Sequence, residues 1–544
     1  MTSDRDDASD DDGPADDAPA ADRPGRSIGP LTRRAALLLG GVAVASAPFL
    51  GNRRREPGPA ASTAAGPTTA EHTTASAAEP AALDARTLGA VGDGVADDTA
   101  ALQALIDGSA ASGRAGRVPA GTYRCTAGLL LPAGTHLQLE PGAVLSKDWA
   151  ARPGLANAFL RNADFAVRSN GVRITGPGTI GAPDHSRTGV VVALFGDDMA
   201  LSDFTIDTYA GGQAVMFAGD RGRVDRLRIV NSAVSTGTGG IRFIGGDDFR
   251  ATGCHVESGD DCLQFVPIAD PGALLFDMDV RRGSYVGCTG ASSVARFLAA
   301  GLEWTKGDTP AMRASVVDCS FTDCHSSGTA RGIVVRNSHS SGAVERLTVT
   351  DCTVEVAGDT DPDVPALRVQ VDPAAGGAIR DVSFVRTDVL RPVTGTLRIE
   401  GPGVSGLTFE DCTFTAPSGP GKVTAVVDEA DAVAFRRCAF SGLPGKRLLV
   451  AGASVPAGAL SVEDCTFSDI ADGTWGVDLA AVTGARVAGS TFRRAAGATT
   501  ARAVRVEPAC SGVVVEGNDL TGLTHRQPIT DRAADTVVRH NRGG

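Results

Sequence analysis

From Gly171 onward, apolar and polar residues alternate in short runs that never lengthen into a helical period. Each run ends on a polar residue or Gly, then a small residue, then a second alternating run. The phrase reads Val172-Arg173-Ile174-Thr175-Gly176-Pro177, then Leu347-Thr348-Val349-Thr350-Asp351-Cys352, Leu407-Thr408-Phe409-Glu410-Asp411-Cys412 and Leu460-Ser461-Val462-Glu463-Asp464-Cys465. Alternation with period two predicts half-buried strands, so each copy is strand, turn, strand. The small residue marks positions 177, 204, 232, 254, 288, 319, 352, 387, 412, 438, 465, 490 and 518, at spacings of 22 to 35 residues. A period of about 28 residues identifies a repeat architecture. Parallel strands in a doubly wound sheet need helical crossovers, and no helical pattern separates these strands.

The pattern therefore predicts an all-β chain: a right-handed parallel β-helix, or solenoid, of about 13 coils. Coils stacked ~4.8 Å apart bring equivalent residues into ladders. Seven marker positions are cysteines: Cys254, Cys288, Cys319, Cys352, Cys412, Cys438 and Cys465. In a ladder they serve as small apolar interior residues. The odd total of 11 Cys fits that role better than a disulfide framework. One helix is expected, over Asp97 to Asp107. Acidic residues open it, Leu102, Leu105 and Ile106 share a face, and it covers the N-terminal edge of the coil stack.

Upstream of the repeat the composition changes twice. Residues 1–55 form an acidic lead followed by Thr32-Arg33-Arg34 and the small-residue apolar run Ala35 to Ala47, the form of a twin-arginine export signal. Residues 56–82 are Pro, Ala, Thr and Ser with almost no large apolar side chain, which predicts a disordered linker. Residues 83–544 make the β-helix domain. The chain is expected to be secreted or held at the cell surface, with the twin-arginine translocase as its partner during export, and to be a monomer.

The formal charge of the 544-residue chain is -13. Such a balance argues against nucleic-acid binding, which requires a basic face to displace phosphate counterions. No ladder of His and Cys has zinc spacing, so neither a metal nor any other cofactor is assigned, although Asp clusters on loops also suit calcium.

Gly-Asp-Asp occurs at 196–198, 246–248 and 259–261. The first two share one phase of the repeat, where Gly and Asp are ordinary turn residues. Asp260 and Asp261 occupy a different phase, at the mouth of the strand Cys262-Leu263-Gln264-Phe265. Counted from the markers, Arg242, Gln264 and Arg296 turn outward on one sheet and Arg336 follows after a longer turn. The count predicts a stripe of Arg242, Asp260, Arg296 and Arg336 on adjacent coils. A guanidinium fork suits carboxylates, so the stripe fits an acidic polysaccharide. The bland alternative is an Arg-rich solvated sheet in a chain with 47 Arg and four Lys. Trp304, in the loop leaving the Arg296 strand, offers a ring for stacking on a sugar.

Leu88-Gly89-Ala90-Val91-Gly92-Asp93-Gly94-Val95-Ala96-Asp97-Asp98-Thr99 resembles the opening segment of the pectate-lyase-like superfamily. Ser258-Gly259-Asp260-Asp261-Cys262-Leu263 resembles the paired-aspartate motif of family 28 glycoside hydrolases, the polygalacturonases. Three positions depart from that pattern. Gly239 stands where the resemblance places a third Asp, Val294-Ala295 where it places His-Gly, and Val334-Val335-Arg336 where it places Arg-Ile-Lys. The resemblance implies an exported hydrolase of a uronate-containing polysaccharide such as pectin, with Asp260 as general acid and Asp261 helping to activate water. Arg336, Arg296, Arg242, Gln264 and Trp304 would bind substrate. A polysaccharide lyase using an Arg base and a noncatalytic glycan-binding rod are the alternative readings.

Overall fold

The computed structural model describes residues 81–543 apart from short stretches at 150–154, 183–188, 209–211, 232–237, 268–276, 303–311, 339, 358–363, 373–375, 420–422 and 455. The export signal, nearly all of the 56–82 linker and Trp304 lie outside the described residues.

The described residues coil as a parallel β-helix. Every strand pairs in parallel with its equivalents in the preceding and following coils, so each turn of chain adds one strand to each face. Along one face the order runs Ile241–Asp247, Leu263–Phe265, Arg296–Leu302, Arg331–Asn337, Pro365–Val371, Gly395–Glu400, Val423–Asp428, Arg447–Ala451, Trp475–Leu479 and Arg502–Val506. The strands are short because each spans only one side of the coil. In Thr348–Thr350 and Ser320–Thr322 the middle residue is buried and its neighbours turn outward. That is the period-two pattern seen in the sequence.

Another face stacks 16 strands, from Asp93–Asp97 to Asp519–Gly522. Thirteen of them follow from Thr179–Gly181 onward, matching the 13 repeats, and three precede the first recognisable phrase. The ladder of small residues lies just before these strands. Backbone hydrogen bonds link its members coil to coil: Thr289 to Cys254, His325 to Cys288, Thr353 to Cys324 and Asp388 to Cys352. Three marker assignments are corrected by this ladder, the first by one residue, since Gly178 and not Pro177 faces Phe204. Cys324, not Cys319, occupies the column in its coil, and Leu227 does so where position 232 was expected. Cys319 instead precedes Ser320–Thr322 and belongs to a neighbouring column with Leu347. All 11 cysteines are buried and free, and burial raises the thiol pKa of Cys319 to about 12.

Aromatic rings fill the rest of the interior as ladders. Phe384, Phe409 and Phe435 stack at centroid distances of 4.8 and 5.0 Å, and Phe440, Phe467 and Phe492 at 4.8 and 4.9 Å. The sharp corners take left-handed backbone. Asp203, Asp351, Asp411 and Asp464 all have φ between 54° and 67°, a region that Asp tolerates. Asp198 and Asp248 of the first two Gly-Asp-Asp copies are corners of the same kind, at φ 55° and 56°.

Helix Thr99–Ser112 closes the N-terminal end with Leu102, Leu105 and Ile106 buried. Its acidic start works differently from a simple cap. Asp98 makes no side-chain cap bond and instead accepts the Val91 and Gly92 N–H groups at 2.6 and 3.1 Å, tying down the preceding turn. Among the described residues, no helix is long and apolar enough to cross a membrane.

Candidate active site

The third Gly-Asp-Asp copy bends the chain as it leaves strand His255–Ser258 and enters Leu263–Phe265. The bend is held from both sides. The Gly259 and Asp260 N–H groups donate to Thr238 O, and Ser258 Oγ donates to Asp260 O at 2.6 Å. It also separates the two carboxylates. Asp260 stays partly exposed, with Oδ1 accepting the Asp261 N–H at 2.8 Å. Asp261 turns toward the next coil and is only 6% exposed. Its Oδ1 accepts the Arg296 N–H at 2.9 Å and lies 3.9 Å from Arg296 Nη1. The neighbouring pair is therefore splayed, with one carboxylate enclosed beside a guanidinium and the other facing solvent.

Register fixes what surrounds Asp261. Strand pairing aligns Gln213, Gly239, Asp261, Arg296 and Arg331 in one row on five consecutive coils. At Gly239 the missing side chain has a structural reason. A Cβ there would sit 2.0 Å from Gln213 Oε1, because the Gln213 side chain reaches across the glycine coil. Gln213 Oε1 accepts Gln264 Nε2 at 2.9 Å, and the same Nε2 donates to Asp261 O at 2.6 Å. An amide bridge thus fills the space where the resemblance would place a third carboxylate. Gln213 carried a readable signal, since it stands two residues before an inward Val, as Asp261 stands two before Leu263.

Three expected site residues are placed differently from the sequence count. Gln264 is 2% exposed and belongs to the bridge under Asp261, so it offers little surface to a polymer. Arg296 is not level with Cys262, where the count from Cys288 puts it, because register gives Cys262 the partner Phe297. One extra residue between Cys288 and the strand moves Arg296 into the Asp261 row, where it faces Arg331. Arg336 lies at the far end of its strand, opposite Gly301 and Gln370. Five strand positions, about 17 Å, separate its row from that of Arg296. Val266, Ala299 and Val334 pack together between the two rows. The stripe is therefore two groups. Asp260, Asp261, Arg296 and Arg331 gather at the strand mouths, with Arg242 three positions along in the row of Gln264, and Arg336 joins Gln370 and Glu400 at the strand ends. Arg242 donates from Nε to Val266 O at 3.2 Å.

Further along this face, Arg368 and Arg398 donate to opposite oxygens of Glu400 at 2.7 and 2.6 Å. Burial alone would raise the Glu400 pKa, but the two guanidiniums outweigh it and hold the carboxyl below its ordinary value.

Comparison with known proteins points to the same architecture. Residues 82–170 match the family model described as rhamnogalacturonase A/epimerase, pectate lyase-like. Over 137 residues the chain is 33% identical to mannuronan C5-epimerase AlgE1 of Azotobacter vinelandii, a match spanning 24% of this chain and 8% of that protein. A tailspike protein of E. coli bacteriophage HK620, solved in complex with a hexasaccharide, is 12% identical with a TM-score of 0.51, covering 84% of this chain and 78% of the tailspike chain. The family 28 exopolygalacturonase of Yersinia enterocolitica is 15% identical with a TM-score of 0.41, covering 80% and 78%. The fold is a right-handed parallel β-helix, and the pectate-lyase-like match lies in its first coils, over residues 82–170. At 12% identity the tailspike speaks to the fold alone.

Proposed function

We propose that the protein acts on an acidic, uronate-containing polysaccharide lying along this face, and that it hydrolyses a glycosidic bond at Asp260 and Asp261. The splayed carboxylate pair beside Arg296 carries the reading. Asp260 reaches solvent and would give a proton to the leaving oxygen. Asp261, oriented by the Arg296 N–H and lying beside the Arg296 guanidinium, would help to draw a proton from the attacking water. Arg242, Arg296, Arg331, Arg336, Arg368 and Arg398 stand on the same face, which suits a polyanion. The names of the matched proteins support a polysaccharide as substrate.

Product analysis on polygalacturonate and alginate tests the reading. Saturated reducing ends are expected. Unsaturated, ultraviolet-absorbing ends would instead assign an Arg-based lyase, a reading favoured by the Gln213 bridge that fills the third carboxylate's place. Binding without any product would leave a glycan-binding rod. Export by the twin-arginine route, read from Thr32-Arg33-Arg34, is part of the proposal. Lys at both Arg33 and Arg34 is expected to block translocation, and secretion of that double variant would remove the assignment.

A further inference from the structure

Toward the C-terminal end of the same face, three coils bring Trp475 together with a group of cations. Register places Arg447 and Arg502 on either side of Trp475, one coil before and one coil after. The Arg502 and Arg505 guanidiniums lie 5.1 and 4.3 Å from the indole centroid. Asp478, only 1% exposed, orients the group: Oδ1 accepts Arg505 Nε at 2.6 Å, and Oδ2 accepts Arg505 Nη2 and, at 3.4 Å, Arg447 Nη1. Arg502 is held separately, donating to His525 Nε2 at 3.3 Å. Two guanidiniums therefore lie over one partly exposed indole and a third stands opposite it on the preceding coil, with Asp478 between Arg505 and Arg447 and Glu507 pairing with Arg505 at 3.3 Å.

The indole N–H is the unexplained feature. Trp475 Nε1 is enclosed and finds no hydrogen-bond acceptor. An indole kept only as a cover for the sheet would normally satisfy that donor when it is buried. Here an acceptor is missing where cations converge, which describes an anionic, hydroxyl-rich ligand. A uronate sugar has both parts. Its C–H face packs on an aromatic ring, its carboxylate takes a guanidinium fork, and its hydroxyl or carboxylate oxygens can accept the indole N–H.

We propose that Trp475, Arg447, Arg502 and Arg505 form a second, noncatalytic subsite for a uronate residue of the same polymer. The proposal rests on reading this face as the track of an acidic polysaccharide. Seven coil steps, about 34 Å, separate the Asp261 strand from the Trp475 strand. A polymer can occupy both sites at once and a trisaccharide cannot. Joining two sites through one chain raises its affinity by effective concentration, without any added contact at either site. The structure therefore assigns a preference for long chains to residues far from Asp260.

The test compares binding of polygalacturonate and of its trimer to the full-length protein by calorimetry. In Trp475→Ala the ratio of polymer to trimer affinity is expected to fall about tenfold. Arg447→Gln and Arg502→Gln, which leave the indole in place, should lower the same ratio and guard against a folding defect in Trp475→Ala. An unchanged ratio in all three variants would overturn the subsite, as would wild-type protein that binds neither ligand. A fallen ratio in a protein that releases no product from any uronate polymer would keep the subsite and reject the hydrolase reading.

Discussion

Replacing Asp260 by Asn is expected to reduce turnover of the polysaccharide by ~10²–10⁴-fold while leaving its binding largely intact. The amide has nearly the same size and its Oδ1 can still accept the Asp261 N–H that holds the bend. It cannot deliver a proton to a leaving oxygen. The loss should therefore appear in kcat, measured by release of reducing ends, with the dissociation constant of the polymer almost unchanged. Cleavage persisting at near the wild-type rate would remove Asp260 from the chemistry. Arg336→Ala provides the contrast, because Arg336 stands about 17 Å along the sheet from the Asp261 row. It should weaken binding more than turnover, and most at low salt, where attraction to substrate carboxylates is least screened.

The second large effect is on stability. Phe409 is fully buried, stacked between Phe384 and Phe435, with Phe414 at its edge at 5.7 Å. Phe409→Ala removes the middle ring of a ladder whose neighbours are fixed by strand register and cannot close over the gap. Truncation of a buried Phe costs ~3–5 kcal/mol, part from lost transfer energy and part from the cavity. In a solenoid each coil is stabilised mainly by its neighbours, so the loss should fall on the coils around Phe409 before it reaches the N-terminal half. Denaturant unfolding with hydrogen exchange measures both the size and the place of the effect. A loss below about 1 kcal/mol would show that the interior can repack, contrary to a rigid ladder.

Much of the architecture was legible because it depends on local periodicity. Strand alternation, a repeat of about 28 residues and recurring small residues before a strand all describe one coil, and stacking follows from the repeat alone. The capping helix was legible for the same reason, through Leu102, Leu105 and Ile106. The turn role of Asp198 and Asp248 was readable from their shared phase, and the structure places both at left-handed corners.

The alignment between coils was harder to read. Counting from Cys288 put Arg296 level with Cys262, and one extra residue before the strand moved it into the row of Asp261. A one-residue slip in a strand exchanges inward for outward positions, so a small error in turn length redraws the whole outer surface. The misassigned Cys319 has the same cause. The Gln213 bridge was invisible to counting for another reason. It depends on a side chain reaching across an intervening coil through the space left by Gly239.

By itself, then, the sequence determined the coil, its repeat and its apolar interior, because these arise from alternation within a few residues. Only the tertiary structure decided which outward residues meet. Backbone hydrogen bonds between coils set that register, and turns of unequal length hide it from a count along the chain. The gathering of Asp260, Asp261, Arg296 and Arg331, the distance to Arg336 and the group around Trp475 all follow from where each strand settles against the one before it.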